Sequence, residues 1–178
     1  DDVFTSLQVN GVTIKINNRK ILAGLAEVIG AADQLIPFTV ALDKLDKIGE
    51  EGVRSNLLEQ GFTQAQVDQL FDMLNNGQIP NIDAELQNLE SIQSMAHAMG
   101  VHPDRVAIDY TLARGLDYYT GPVFETILTD DNIGSVSGGG RYDGLIGMFG
   151  KKQVPAVGVS LGLERLITIM EERGMLSD

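Results

Sequence analysis

The order of hydrophobic periods along the chain predicts an α+β fold with an inserted all-α subdomain. Three observations carry this. Val12, Ile14 and Ile16 alternate with Thr13 and Lys15, the two-residue period of a half-buried strand. From about Pro37 to Pro103 the apolar residues fall at helical spacing, and beyond Pro103 the two-residue period returns. Strands, then helices, then strands argue against a βαβ alternation. The implied division is 1–37, 38–104 and 105–178, the middle segment being the helical insertion.

Each element has its own signal. Asn10-Gly11 is a turn signal ahead of the first strand and suits a hairpin. After Asn17-Asn18-Arg19, a stripe of Ile21, Leu22, Leu25, Ala26, Val28 and Ile29 predicts a helix that Gly30 stops. Thr63 and Gln66 form a capping box, their side chains satisfying N–H groups of the first turn. Val67, Leu70, Phe71 and Leu74 then follow at i, i+3, i+4 and i+7, until Asn75-Asn76-Gly77 ends the helix. A further helix is predicted from about Asp83 to Met99, burying Leu86, Leu89, Ala96 and Met99, with Gly100 closing it. Strands are expected at 106–108 and 123–128, with a hairpin turn at 130–134. A last strand, 157–160, runs into a helix from about Leu163 to Arg173.

Composition narrows the function. The 178 residues include 13 Lys+Arg and 25 Asp+Glu, a formal charge of −12, and the sequence pI is about 4.4. Such a balance disfavours a free-standing nucleic-acid binder, which needs concentrated Lys and Arg. Residues 33–108 hold 12 acidic and 4 basic side chains, a net −8, so the middle of the chain is compositionally distinct. Zero Cys removes disulfides, thiol catalysis and thiolate metal sites, and two His, His97 and His102, argue against a multi-His metal centre. Both read as surface or packing residues. No apolar run reaches about 18 residues, and the start has no signal-peptide pattern, so the expected compartment is the cytoplasm.

Three stretches carry unusual combinations. Leu112-Ala113-Arg114-Gly115-Leu116-Asp117-Tyr118-Tyr119-Thr120-Gly121 sets a planar cation beside two tyrosines. That equipment suits a small polar ligand, although a rim ion pair of Arg114 with Asp117 would use the same residues. Ser137-Gly138-Gly139-Gly140-Arg141-Tyr142-Asp143 offers either close backbone approach to a ligand or a wide turn, and matches neither common phosphate-loop pattern. Gly158-Val159-Ser160-Leu161-Gly162 matches the G-x-S-x-G nucleophile elbow, but no His follows Ser160, so a hydrolase triad cannot close in the expected order. The same glycines would instead let a flat ring lie against the strand, with Arg165 near the helix start facing an anion.

Together the three stretches resemble the second half of the catalytic domain of histidyl-tRNA synthetases, class II aminoacyl-tRNA synthetases. The first two are similar to the histidine-specific signatures of that family, and Gly158 through Arg165 is similar to class II motif 3. Thr13 through Leu22 also resembles the strand and helix preceding the family's insertion domain. The resemblance implies part of an antiparallel catalytic sheet with flanking helices, and an ATP-dependent activation of histidine followed by transfer to tRNA(His). It makes Arg114 the catalytic arginine bridging the histidine carboxylate and the α-phosphate. Tyr119 would bind the imidazole, with Tyr118, Tyr142 and Gly139 lining the same pocket. Gly158, Gly162 and Arg165, with Arg114, would receive ATP. Mg2+ is expected with ATP, with no dedicated protein ligand identified. The parent would be a homodimer, and its helical insertion would approach the tRNA acceptor stem, which the −8 charge disfavours. No counterpart of motif 1, motif 2 or an anticodon-binding domain is found, so the 178 residues read as a fragment expected to be inactive alone. The rival from another class is the histidine-sensing, non-catalytic regulatory subunit of ATP phosphoribosyltransferase.

Overall fold

The computed structural model describes residues 1–113 and 118–176. Its centre is one five-stranded sheet of β1 (Val12–Asn18), β2 (Val106–Ile108), β3 (Pro122–Leu128), β4 (Ser137–Tyr142) and β5 (Ala156–Leu161), ordered β2-β1-β3-β4-β5. β1 pairs parallel with β2, and every other pairing is antiparallel. A parallel pair needs a long crossover, and here the whole helical stretch supplies it. That stretch comprises α2 (Arg19–Val28), α3 (Leu35–Leu42), α4 (Leu45–Glu59), α5 (Gln64–Asn76) and α6 (Asp83–Ala98). α1 (Asp2–Ser6) precedes the sheet and α7 (Leu163–Glu172) follows β5.

The local signals explain the boundaries. Asn18 caps α2 by accepting a hydrogen bond from the Lys20 backbone N–H at 3.1 Å. Thr63 and Gln66 make both bonds of the capping box on α5, and Gly77 closes that helix in the left-handed conformation at φ 65°. Gly49, at φ 69° and ψ 177°, breaks the helical path inside α4, a conformation that a Cβ would oppose.

The core has two parts. In the larger, Ile21, Leu22 and Leu25 of α2 meet Phe38, Leu42, Leu57, Phe71 and Leu89, and the cluster continues onto Ile16 and Val106 of the sheet. In the smaller, Leu166 and Ile169 of α7 pack on Phe4, Val9, Val12, Leu128 and Val136. Burying an aliphatic or aromatic side chain of this size is worth about 1.5–3 kcal/mol.

Several expectations differ from what the fold does. Asn10-Gly11 joins α1, which periodicity did not predict, to β1 rather than closing a hairpin, because the antiparallel partner of β1 is the distant β3. Met99 is 86% exposed, since α6 ends at Ala98 and the chain turns away through Gly100 at φ 100°. The 137–142 glycine stretch is an interior strand, held by β3 on one side and β5 on the other, not a wide turn. β5 lies at the sheet edge, with Val157 and Val159 exposed.

Candidate functional site

The sheet register assembles the site. Directly paired residues on neighbouring strands share a face, as do residues two apart on one strand. Lys15, Glu125, Gly138 and Ser160 form one cross-strand row, and Asn17, Val123, Gly140 and Gly158 the adjacent row. One face therefore carries Lys15 and Asn17 on β1, Glu125 beside the buried Val123 on β3, and a floor of glycine and serine on β4 and β5.

Aromatic rings stand on that floor. A Cβ on Gly140 would lie 2.9 Å from Cδ1 of Tyr119, and a Cβ on Gly158 would lie 3.1 Å from the Tyr142 hydroxyl oxygen. Tyr118 meets Tyr119 edge-on with ring centroids 4.8 Å apart, and meets Tyr142 edge-on at 5.6 Å. Tyr119 and Tyr142 are tilted at 6.3 Å. Aromatic quadrupoles favour such edge-to-face contacts over a face-to-face sandwich. All three tyrosines are half-buried.

An open cavity of about 480 Å3 adjoins these rings, lined among others by Tyr119, Gly138, Gly139, Ser160, Gly162 and Arg165. Its chemistry combines bare backbone, hydroxyls and one guanidinium. Gly162 closes β5 onto the neighbouring loop by donating its N–H to the Val136 carbonyl at 2.8 Å, and its own carbonyl accepts from Leu166 N–H. Arg165 lies in the first turn of α7, exposed, with Nη1 donating to the Ser135 carbonyl. Of the residues singled out by sequence, Tyr119, Gly139, Gly162 and Arg165 line the cavity, while Tyr118, Tyr142 and Gly158 join it through the ring cluster. Arg114 lies outside the described residues. Among the described residues no group of three or more His, Asp or Glu is placed to hold a metal ion.

Sequence reasoning missed the charged half of this face. Lys15 Nζ lies 2.9 Å from Asp109 and 3.3 Å from Asp46. Burial works against the Lys15 charge, but the hydrogen bond and field of Asp109, aided by Asp46, outweigh it and raise the amine above its ordinary value. Burial likewise opposes ionisation of Asp109, and the bonds from Thr111 and Lys15 overcome it, holding the carboxyl below the usual carboxylate value. Past the tyrosines, Thr120 donates its hydroxyl to Asp143 at 2.8 Å, and Arg141 Nε reaches the same carboxylate at 3.0 Å. The Thr120 bond, followed by Arg141, lowers the Asp143 pKa. The alternation marks Thr13 and Lys15 as polar positions of a half-buried strand and leaves Asn17 beyond it; the fold covers Lys15 largely and Asn17 fully.

Comparison with known proteins decides the family. The family model described as histidyl-tRNA synthetase matches residues 2–166. The chain belongs to the histidyl-tRNA synthetase family. The histidine–tRNA ligase of Flavobacterium johnsoniae is 49% identical over 97% of this chain and 40% of its own length. That of Christiangramia forsetii is 44% identical over 98% of this chain and 42% of its own. The chain thus spans about two fifths of the curated histidyl-tRNA synthetases it matches. The crystal structure of histidyl-tRNA synthetase from Nostoc sp. PCC 7120 superposes with a TM-score of 0.86 at 31% identity, over 99% of this chain and 46% of that one. It bears out the α+β, mostly antiparallel architecture.

Proposed function

We propose that the full-length protein containing this chain is a histidine–tRNA ligase. A histidine carboxylate oxygen attacks the α-phosphorus of ATP, the bond to the bridging oxygen breaks, and pyrophosphate leaves. A ribose hydroxyl at the tRNA(His) 3′ end then attacks the carbonyl of histidyl-adenylate and AMP leaves. The observation that supports this reading best is the three-tyrosine cluster on a glycine floor, beside a cavity that also holds Arg165.

Each residue has a role in this proposal. Tyr119 binds the imidazole, and Tyr118, Tyr142 and Gly139 shape the pocket around it. Buried polar groups matched to both ring nitrogens reject apolar isosteres, which would leave those groups unpaired. Gly158 and Gly162 let the nucleotide approach the backbone, and the Arg165 fork engages its phosphates. Arg114 bridges carboxylate and α-phosphate, where a preorganised guanidinium stabilises the charge that builds in the transition state. Mg2+ accompanies ATP as a phosphate-neutralising ion, with no dedicated protein ligand identified for it. The reading further assigns 1–37 and 105–178 to the catalytic domain and 38–104 to a helical insertion, in a cytoplasmic homodimer. The 178 residues alone are proposed not to aminoacylate.

The deciding experiment is histidine-dependent pyrophosphate exchange into ATP by the full-length protein, with an Arg114→Ala variant alongside. Histidine-specific exchange, lost by orders of magnitude in the variant, supports the reading. Histidine binding without exchange would replace it with a histidine-sensing regulatory role.

A further inference from the structure

We infer that Asn17, seconded by Lys15, is a positioning residue that sets the backbone leading into the tyrosine signature. Asn17 is fully buried, and its Nδ2 donates twice, to the Tyr110 carbonyl at 3.1 Å and to the Leu112 carbonyl at 3.0 Å. Its Oδ1 has no partner among the described residues, so the recorded bonds of this amide both hold the 110–112 backbone. Two residues away on the same face, Lys15 grips Asp109, whose carboxylate also accepts from the Thr111 N–H at 2.9 Å and hydroxyl at 2.5 Å. The Asp109 N–H is in turn bonded to the Ile16 carbonyl.

The 109–112 turn is therefore fastened to β1 by side chains of the face on whose far half Tyr119 and Tyr142 stand. Its exit, Leu112-Ala113, is buried and leads by sequence to Tyr118 and Tyr119. The far end of that segment is tied separately, Thr120 N–H donating to the Arg141 carbonyl at 2.9 Å. Two fixed ends constrain where the rings can lie. An asparagine suits the task because one NH2 group has two donors, enough for two carbonyls. Lys15 also reaches Asp46 at the start of α4, so the same anchor joins the turn to the helical stretch.

This inference rests on the histidine–tRNA ligase reading, and the test separates the two. Pyrophosphate exchange is measured on the full-length protein as wild type, Asn17→Ala, Asn17→Asp, Lys15→Met and Lys15→Arg, with thermal unfolding of each. Asn17→Asp keeps the shape but presents a carboxylate to two carbonyls. The expected result is a rise of roughly tenfold or more in KM for histidine with the Asn17 variants, with KM for ATP within about twofold. Lys15→Met should shift the same way, more weakly, and Lys15→Arg should restore most of the loss. A merely structural residue would lower kcat in step with the folded fraction and leave both KM values alone. Folded Asn17 variants with wild-type KM for histidine overturn the inference. If Asn17→Ala does not fold, the Lys15 pair decides, and equal KM values in Lys15→Met and wild type overturn it. A wild-type protein without histidine-dependent exchange overturns the ligase reading instead.

Discussion

Phe124 and Gly139 face each other across β3 and β4 so closely that the second position admits no side chain: a Cβ there would lie 2.6 Å from Phe124 Cζ and 2.0 Å from the Gly158 carbonyl oxygen. The second contact is with backbone of a paired strand, which cannot swing away as a ring can. Gly139→Ala should therefore destabilise the fold by about 1–3 kcal/mol or more, the cost of overpacking a filled site. Gly158→Ala meets only the Tyr142 ring at 3.1 Å, so it should displace the ring at a smaller stability cost. Urea unfolding of both variants should rank Gly139→Ala as the less stable, and a Gly158→Ala variant that is the less stable of the two would contradict the geometry.

Arg165 is held against the Ser135 carbonyl by Nη1, which turns its guanidinium toward the cavity wall rather than leaving it to roam. Under the ligase reading, Arg165→Ala should slow pyrophosphate exchange by about 10²–10³-fold, the loss typical of one preorganised donor to developing charge. Arg165→Lys should recover only a small part, because an ammonium cannot replace a planar fork. Recovery to near wild type would show that charge alone suffices there.

The Thr120–Asp143 bond gives a pH dependence with a definite sign. Asp143 is lowered from 3.8 in the folded chain, by the Thr120 hydroxyl first and Arg141 second. The folded state thus binds this proton less readily than the unfolded state. Its stabilising contribution is complete above the ordinary carboxylate value and is lost as pH falls through the lower folded value. The stability difference between wild type and Asp143→Asn, followed by urea midpoints, should hold steady from pH 7 to about 5 and shrink toward pH 3. A difference that grows on acidification would overturn the assignment.

Thr63 caps α5 with both bonds of the box in place, its hydroxyl accepting from Gln66 N–H at 3.3 Å and its own N–H donating to Gln66 Oε1 at 2.8 Å. Thr63→Ala should cost about 1 kcal/mol. Thr63→Ser keeps the hydroxyl and should cost clearly less, as thermal unfolding of the pair would register.

Much of the local structure was legible because its causes are local. The capping box, the Gly77 stop and the β3 strand depend on residues a few positions apart, and all three occur where the pattern puts them. Met99 was misread because helical spacing continues past Ala98 while the chain itself turns away. The role of β4 was left open because a glycine run is equally consistent with a turn and with a strand whose face must stay bare. Lys15 fell on the polar half of a half-buried strand and Asn17 just beyond that strand, and neither placement told what would cover them: alternation gives a residue its face, not what will bury that face.

The amino-acid order alone determined the α+β class, the positions of β1, β3, β5, α2, α5, α6 and α7 within a few residues, and membership of the histidyl-tRNA synthetase family, since short-range periodicity and contiguous motifs need no folding to be seen. Only the tertiary structure decided that β1 and β2 are parallel neighbours bridged by the helical stretch, that Tyr119 and Tyr142 stand over glycines of β4 and β5, and that Asn17 and Lys15 fasten a turn more than ninety residues away. Those relationships are strand registers between distant segments, and register is set by how whole faces bury against one another, which no local window contains.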